Sequence, residues 1–250
     1  YGWSGEIGIK QGFSINNFEG YIDLSGFITQ YTDMMEFMFG FYDIDGSDIS
    51  TTELQSIVIN NGIGILSNYL GARSTNIQNA NIPGFEVSIV GQGNITENIS
   101  FSTLAGYTYI NPTPTDADSL YLLTFSNPNI ENPKNTILKY RNKHMVKIDF
   151  QIDYKKFALG LSSRYSSLME NVDDVFVSPI AGIEILPGYG SYRNSRMTGD
   201  LVFDTRLAYK INKKSRFSLI VNNLLNREYT NRPGNVLPPR TIVWQYSLKF

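Results

Sequence analysis

The chain has 250 residues, no cysteine and a formal charge of −2, and 42% of its residues are hydrophobic. This length fits one large β domain or two ordinary domains. The absence of cysteine excludes disulfides and zinc–thiolate sites, and the near-neutral charge gives no support for a nucleic-acid partner. The sequence contains no run of about 18 apolar residues and therefore predicts no transmembrane helix.

Strands in the first half are predicted from the alternation of apolar and polar side chains, because successive strand side chains point to opposite faces. The alternation predicts strands at Trp3–Gln11, Tyr21–Asp33, Ile82–Gln92 and Ile99–Tyr109. Short turns at residues 16–17 and 94–98 join the members of each pair. A long stretch that contains several glycines, about residues 38–70, separates the two pairs and is predicted to be irregular.

The second half repeats this arrangement. Five more strands are predicted, at Val146–Tyr154, Phe157–Tyr165, Phe203–Ile211, Arg216–Tyr229 and Thr241–Phe250. Tight turns at 154–156 and 212–215 alternate with long loops at 111–135 and 169–198 and a moderate loop at 230–239. The sequence thus predicts about nine strands joined alternately by short turns and long loops.

This alternation, with strands of about ten residues, is typical of a transmembrane β-barrel. Aromatic side chains gather near the strand ends, where membrane barrels carry interfacial girdles. They are Trp3, Tyr107, Tyr109, Tyr154, Phe157, Tyr165, Tyr209, Phe217, Tyr246 and Phe250. A soluble β-sandwich has no reason to place every long loop at one end. We therefore predict an all-β fold, a transmembrane antiparallel up-and-down β-barrel.

Charged and polar side chains share one parity in nearly every predicted strand. In a barrel that parity faces the lumen and the apolar parity faces lipid, whereas in a sandwich the polar parity would face water. The predicted lumen-facing residues are Glu6, Glu86, Asp149, Gln151, Asp204 and Arg206, together with Asp153 and Lys210. We expect these side chains to be wall residues satisfied by a plug and water rather than substrate contacts.

The strand count is odd, whereas closed bacterial barrels have an even count and both termini in the periplasm. If the long loops are extracellular and Phe250 is periplasmic, Tyr1 lies at the cell surface. We therefore expect residues 1–250 to be the C-terminal part of a single larger barrel domain.

Five segments, in matching order and spacing, resemble the C-terminal half of TonB-dependent outer-membrane receptors. They are Trp3–Lys10, Phe27–Met34, Asn81–Ser88, Asn222–Tyr229 and Pro238-Pro-Arg-Thr with the terminal Phe250. The last two look most like receptors of Bacteroidota-type bacteria. The resemblance implies a barrel of about 22 strands, with an N-terminal plug, the TonB-binding segment and about thirteen strands outside this sequence.

The resemblance also implies a function, the active import of a scarce nutrient such as a siderophore, cobalamin, a glycan or a peptide. The implied partners are outer-membrane lipid, the plug and remaining strands, and the TonB complex, with a surface lipoprotein as a further candidate. Two alternatives stay open: a passive porin or enzymatic outer-membrane barrel, and a soluble β-sandwich binding module. With one histidine, no Ser–His–Asp arrangement is credible, so we predict no enzyme and no cofactor.

A ligand site is predicted in the third long loop, where aromatic side chains alternate with arginines. Rings and guanidinium groups suit an anionic or aromatic ligand, through stacking and paired hydrogen bonds. The candidates are Tyr189, Tyr192, Arg193 and Arg196, with Phe41 and Tyr42 as a weaker set in the first long loop. The alternative interpretation is an ordinary extracellular rim with girdle tyrosines.

Metal sites are not predicted. His144 has no second histidine or cysteine as a partner and is expected to be an interfacial polar residue. Residues 43–48 hold three aspartates around a glycine but lack the full calcium-loop pattern, which favours a solvated turn. Asp173 and Asp174 lie in a loop where nothing is expected to raise the pKa of either carboxyl group.

Overall fold

The structure, a computed structural model, describes residues 1–76, 79–115, 125–126, 137–179 and 182–250. In chain order the strands are β1 (Gly2–Ile15), β2 (Phe18–Tyr31), β3 (Met35–Phe41), β4 (Leu70–Asn76), β5 (Ala80–Thr96), β6 (Ile99–Ile110), β7 (Thr113–Pro114), β8 (Phe125–Ser126), β9 (His144–Tyr154), β10 (Phe157–Ser166), β11 (Val172–Asp173), β12 (Asp200–Lys210), β13 (Ser215–Asn222), β14 (Thr230–Arg232), β15 (Asn235–Val236) and β16 (Thr241–Leu248). The two α-helices are α1 (Thr51–Asn61) and α2 (Tyr189–Ser195). Short 3₁₀ helices cover Ile63–Asn68 and Asp174–Phe176.

Nine long strands form one antiparallel sheet in the order β1-β2-β5-β6-β9-β10-β12-β13-β16. Each strand therefore pairs with the long strands that precede and follow it, as the alternation of turns and loops predicts. In the described residues β1 pairs only with β2 and β16 only with β13, so these strands form an open sheet with two free edges. No helix in the described ranges is long and apolar enough to cross a membrane.

One face of this sheet carries the predicted polar side chains. The strand registers place Glu6, Glu86, Asp149, Gln151, Asp204 and Arg206 on the same face. Several contact each other there: Arg206 Nη2 donates to Gln151 Oε1 at 3.1 Å, and Arg164 Nη2 donates to Asp204 Oδ2 at 3.0 Å. A cavity of about 850 Å³ over β1, β2, β5 and β6 lies against this face.

The opposite face is apolar and open. Ile148, Phe150 and Leu207 are 40%, 39% and 48% exposed, so no packed protein core covers them in the described residues. Neighbouring rings pair across strands, with Phe157 4.8 Å from Tyr209 between ring centroids. An apolar face that no protein layer covers is the arrangement expected of a membrane barrel wall.

The predicted strand at Arg216–Tyr229 is too long. β13 ends at Asn222 because Asn223 and Asn226 adopt left-handed backbone, with φ of 50° and 51°. The Asn223 side chain then stabilises the turn, since its Nδ2 donates to Arg227 O at 2.7 Å and its Oδ1 accepts from Arg227 N at 2.7 Å. The Asn-Leu-Leu-Asn segment that carried part of the family resemblance is therefore a turn rather than strand.

The long connections are folded, which corrects the prediction of irregular loops. We call the described parts of residues 32–79, 111–143 and 167–199 the first, second and third connections, and together the cap. In the first connection, β3 pairs with β4, and Ser50 caps α1 by accepting a hydrogen bond from Glu53 N at 3.2 Å. An apolar cluster joins the first and third connections through the buried residues Phe41, Leu54, Leu66 and Val175.

Candidate functional site

A cavity of about 180 Å³ lies at the long-connection end of β10 and β12. Its walls come from the end of β10, the third connection with α2, the start of β12 and the segment around β14. Among the lining residues are Asn142, Arg164, Ser167, Tyr189, Tyr192, Arg193, Arg196, Asp200, Tyr229 and Thr230. All four main ligand candidates from the sequence thus line one cavity, which we call the α2 cavity.

Arg193 and Tyr189 hold the helix in place. The Arg193 side chain is buried, and its guanidinium donates to the carbonyl oxygens of Met169 at 2.5 Å and Glu170 at 2.8 Å. Burial lowers the pKa of Arg193, and the neighbouring Tyr189 opposes this change. Tyr189 stacks on Tyr192, with 6.0 Å between ring centroids. Because these groups are used inside the protein, Arg193 positions the site rather than offering a free donor.

Asp200, which the sequence analysis did not single out, is the polar centre of the cavity wall. Its Oδ2 accepts from the Tyr192 hydroxyl at 2.6 Å, and its Oδ1 accepts from Arg227 Nε at 3.0 Å. The Tyr192 oxygen also accepts from Thr230 N at 3.1 Å. Burial and the Asp200 contact raise the pKa of Tyr192 to about 12, so its hydroxyl stays protonated in neutral solution.

Arg196 is held less tightly than the other arginines of the site. Its Nε lies 3.9 Å from Asp200 Oδ1, and no hydrogen-bond partner for that buried Nε is found among the described residues. Its guanidinium lies 6.0 Å from the ring centroid of Tyr192. Arg164, also on the cavity wall, pairs with Asp204 and has a half-exposed side chain. The cavity therefore combines aromatic walls with a surplus of positive charge.

The weaker candidates lie elsewhere. Phe41 is 8% exposed and packs in the apolar cluster of the cap. Tyr42 donates its hydroxyl to Met38 O at 2.9 Å, and the Arg73 guanidinium lies 4.9 Å from its ring centroid. The structure does not bring either residue to the α2 cavity, because both serve the packing of the first connection.

His144 and the aspartates of the acidic turn are used in other contacts. His144 begins β9, where its Nδ1 lies 2.8 Å from the Tyr107 hydroxyl. In the acidic turn, Asp45 Oδ1 accepts from Ser47 N and Ser47 Oγ, and Asp48 pairs with Arg73 at 3.2 Å. The described residues contain no group of three or more His, Cys, Asp or Glu side chains that could hold a metal ion.

Asp173 contradicts the expectation that nothing would raise the pKa of this carboxyl group. Its side chain and that of Lys139 are both 0% exposed, and Lys139 Nζ lies 2.5 Å from Asp173 Oδ1. Burial raises the pKa of Asp173, which the Lys139 ammonium opposes. The sequence could not indicate this, because the two residues are 34 positions apart on different connections.

The sequence of this chain matches a known family of β-barrel proteins. The family model described as "TonB dependent receptor-like, beta-barrel" matches residues 1–224. No curated protein matches the chain.

Several solved structures share the fold. The ferric-catecholate import receptor Fiu from E. coli K12 superposes with a TM-score of 0.57 at 19% identity, over 99% of this chain and 27% of Fiu. The siderophore receptor PiuA from Acinetobacter baumannii gives 0.55 at 17% identity, over 100% of this chain and 28% of PiuA. The copper transporter OprC gives 0.56 at 13% identity, over 99% of this chain and 31% of OprC.

The chain therefore spans about a third or less of the length of these transport proteins. At such identities the likeness concerns the fold, whereas the family match covers most of the sequence. The nine-stranded sheet, its uncovered apolar face and this match together show that the chain belongs to the β-barrel family of TonB-dependent outer-membrane receptors.

Proposed function

We propose that this chain forms the C-terminal barrel portion of an outer-membrane receptor that imports a scarce nutrient with energy transmitted by TonB. A siderophore, cobalamin, a glycan and a peptide are the candidate nutrients. In this proposal the polar face lines the lumen, the long connections are extracellular and Phe250 is periplasmic. A Bacteroidota-type origin, with a surface lipoprotein as partner, belongs to the same proposal.

The free edges of β1 and β16 support the barrel part of the proposal. In lipid, each unpaired backbone amide or carbonyl group costs several kcal/mol, so both edges require partner strands. We propose that the remaining strands, the plug and the TonB-binding segment are supplied by polypeptide outside this sequence. The lumen-facing assignment is supported by the cavity that lies against the polar face.

The α2 cavity carries the receptor part of the proposal. Tyr189 and Tyr192 form an aromatic wall, and Arg196 has a buried Nε without a hydrogen-bond partner among the described residues. A ligand that carries an aromatic ring and an anionic group could stack its ring on the tyrosines, while the anionic group accepts hydrogen bonds from the guanidinium. We therefore propose that the imported ligand presents an anionic aromatic or carboxylate group to this cavity.

Benzoate is a suitable first probe, and benzamide is its neutral counterpart of the same shape. In calorimetric titrations of the intact receptor in detergent, we expect benzoate to bind more tightly than benzamide. Arg196→Gln should weaken benzoate binding about tenfold, the loss expected when one charge-assisted hydrogen bond is removed. Arg232→Gln is the matched control, because Arg232 lies nearby on β14 but does not line the cavity. Equal binding of both probes would contradict an anion site.

Import is tested in cells. A strain without the receptor gene should lose growth on one limiting nutrient among iron chelates, cobalamin, glycans and peptides, and removal of TonB should reproduce that loss. If growth depends on the receptor but not on TonB, the passive-porin alternative is correct instead.

A further inference from the structure

A buried carboxylate, that of Asp173, joins the second and third connections of the cap. Asp173, in the third connection, accepts hydrogen bonds from Lys139 Nζ at 2.5 Å and from the Tyr140 hydroxyl, both in the second connection. Strand β11, which contains Asp173, lies beside β3 of the first connection. The second and third connections are far apart in sequence, so these hydrogen bonds fix their relative positions.

The same contacts continue along the third connection towards the α2 cavity. Asn171 is fully buried; its Nδ2 donates to Ile137 O at 2.6 Å, and its backbone oxygen accepts from Tyr140 N at 2.9 Å. Two residues earlier, Met169 O accepts from Arg193 on α2. Segment 167–173 is therefore held between the second connection on one side and α2 on the other.

The cavity wall depends on this segment directly. Ser167 and Met169 line the α2 cavity, and Asn142 Nδ2 donates to Ser167 O at 2.5 Å. Asp173 itself does not line the cavity. A change at Asp173 would therefore reach a bound ligand only by moving the backbone that supports Arg193.

We propose that Asp173 is a positioning residue for the α2 cavity: its carboxylate fixes segment 167–173, and Arg193 transmits that position to α2. Ligand affinity then depends on a buried ion pair that the ligand does not touch. This inference rests on the proposed function, because it assigns ligand binding to the α2 cavity.

The test uses the intact receptor in detergent. Spin labels are attached to cysteines introduced at Asn194 on α2 and Lys213 in the β12–β13 turn; this chain has no cysteine of its own to compete for the label, and any cysteine in the rest of the receptor is replaced by serine. Both positions are exposed, so the labels disturb little. Pulsed EPR then measures the distance between α2 and the sheet, and benzoate titration measures affinity at a temperature well below unfolding.

Asp173→Asn should broaden the label distance and weaken benzoate binding about fivefold or more, since coupling between separate sites typically has this size. The double variant Lys139→Met with Asp173→Leu removes both charges of the pair, so neither partner is left buried and charged without the other, and the fold is expected to survive. It should still weaken binding, because the hydrogen bond from Tyr140 is lost. Asp48→Asn is the matched control, because its pair with Arg73 lies in the cap but is partly exposed.

The label distance, the benzoate affinity and the melting temperature together distinguish a role of Asp173 in folding from a role in positioning α2. A role in folding alone would lower the melting temperature of both variants without changing the label distance or the benzoate affinity, and this result would overturn the inference. An unchanged distance in both variants overturns it as well. A broadened distance in a receptor whose wild type binds no benzoate supports the coupling between Asp173 and α2, and contradicts the proposed ligand site instead.

Discussion

The sheet and the cap are stabilised in opposite ways. In the sheet, each strand pairs with sequence neighbours, its polar residues share one face and its apolar residues stay 40–48% exposed at positions such as Ile148 and Leu207. In the cap, contacts join distant parts of the chain, and charged groups such as Lys139 and Asp173 are completely buried. The sheet therefore depends on its surroundings, whereas the cap has its own apolar and polar interior.

This difference has an energetic consequence. The uncovered apolar face of the sheet gains its stability from lipid, since no protein layer in the described residues covers it. The cap gains its stability from contacts between segments that are far apart in sequence, among them the apolar cluster around Leu54 and the ion pair of Asp173. Substitutions in the cap should therefore act locally, and substitutions on the apolar face should act on insertion and barrel stability.

Lys139→Met should give the largest loss of stability of the three substitutions. It should destabilise the cap and leave the sheet unchanged. It leaves the Asp173 carboxylate buried without its ammonium partner, which typically costs about 3–5 kcal/mol. Hydrogen exchange of the intact receptor should show faster exchange at amides 137–142 and 169–175, with the amides of the nine long strands unchanged. Arg73→Met, which removes a partly exposed ion pair with Asp48, should cost about 1 kcal/mol or less. If Lys139→Met and Arg73→Met lowered the stability by the same amount, the buried pair would contribute no more than the partly exposed pair, and the prediction would be wrong.

Ile148→Arg tests the sheet. Ile148 lies near the middle of β9 on the apolar face, where an arginine at the bilayer midplane costs about 2–4 kcal/mol. Refolding of the intact receptor into lipid vesicles measures this cost. The matched control is Ser88→Arg on the polar face, where Ser88 lies opposite Asp23. The arginine at position 88 should be tolerated; a larger cost there than at 148 would show that the two faces are exchanged.

The sequence predicted the sheet well because its determinants are local. Alternation with a period of two assigns each strand residue to a face, and short turns force neighbouring strands to pair. The parity of Glu86 and Asp149 therefore followed from their own strands. The end of β13 was missed because the left-handed backbone at Asn223 interrupts an otherwise apolar run.

The cap was predicted poorly because its determinants are not local. Phe41 looked like an aromatic ligand contact, but its burial depends on Leu54 and Val175 from other segments. The sequence could group Tyr189, Tyr192 and Arg196 because they lie within eight consecutive positions, on α2 and at its C-terminal cap. Asp200 and Arg227 were missed, since their pairing joins residues 27 positions apart.

Tyr192→Phe should give the smallest loss of stability of the three substitutions. It separates the role of the Tyr192 ring from that of its hydroxyl. The Tyr192 ring forms part of the aromatic wall, whereas its hydroxyl donates to Asp200 and accepts from Thr230 N. Removing the hydroxyl should cost about 1 kcal/mol of local stability, because Asp200 keeps its contact with Arg227 while Thr230 N loses its acceptor.

Because the ring is retained, benzoate affinity should change by less than about twofold, while Tyr192→Leu should weaken it several-fold by removing the aromatic surface. Hydrogen exchange at amide 230 and benzoate titration of the intact receptor measure the two effects separately. If Tyr192→Phe weakened benzoate binding as strongly as Tyr192→Leu, the hydroxyl would contact the ligand. The Tyr192 hydroxyl would then both bind the ligand and link α2 to Asp200, so the stability of the cap and the affinity for the ligand could not be changed separately at this residue.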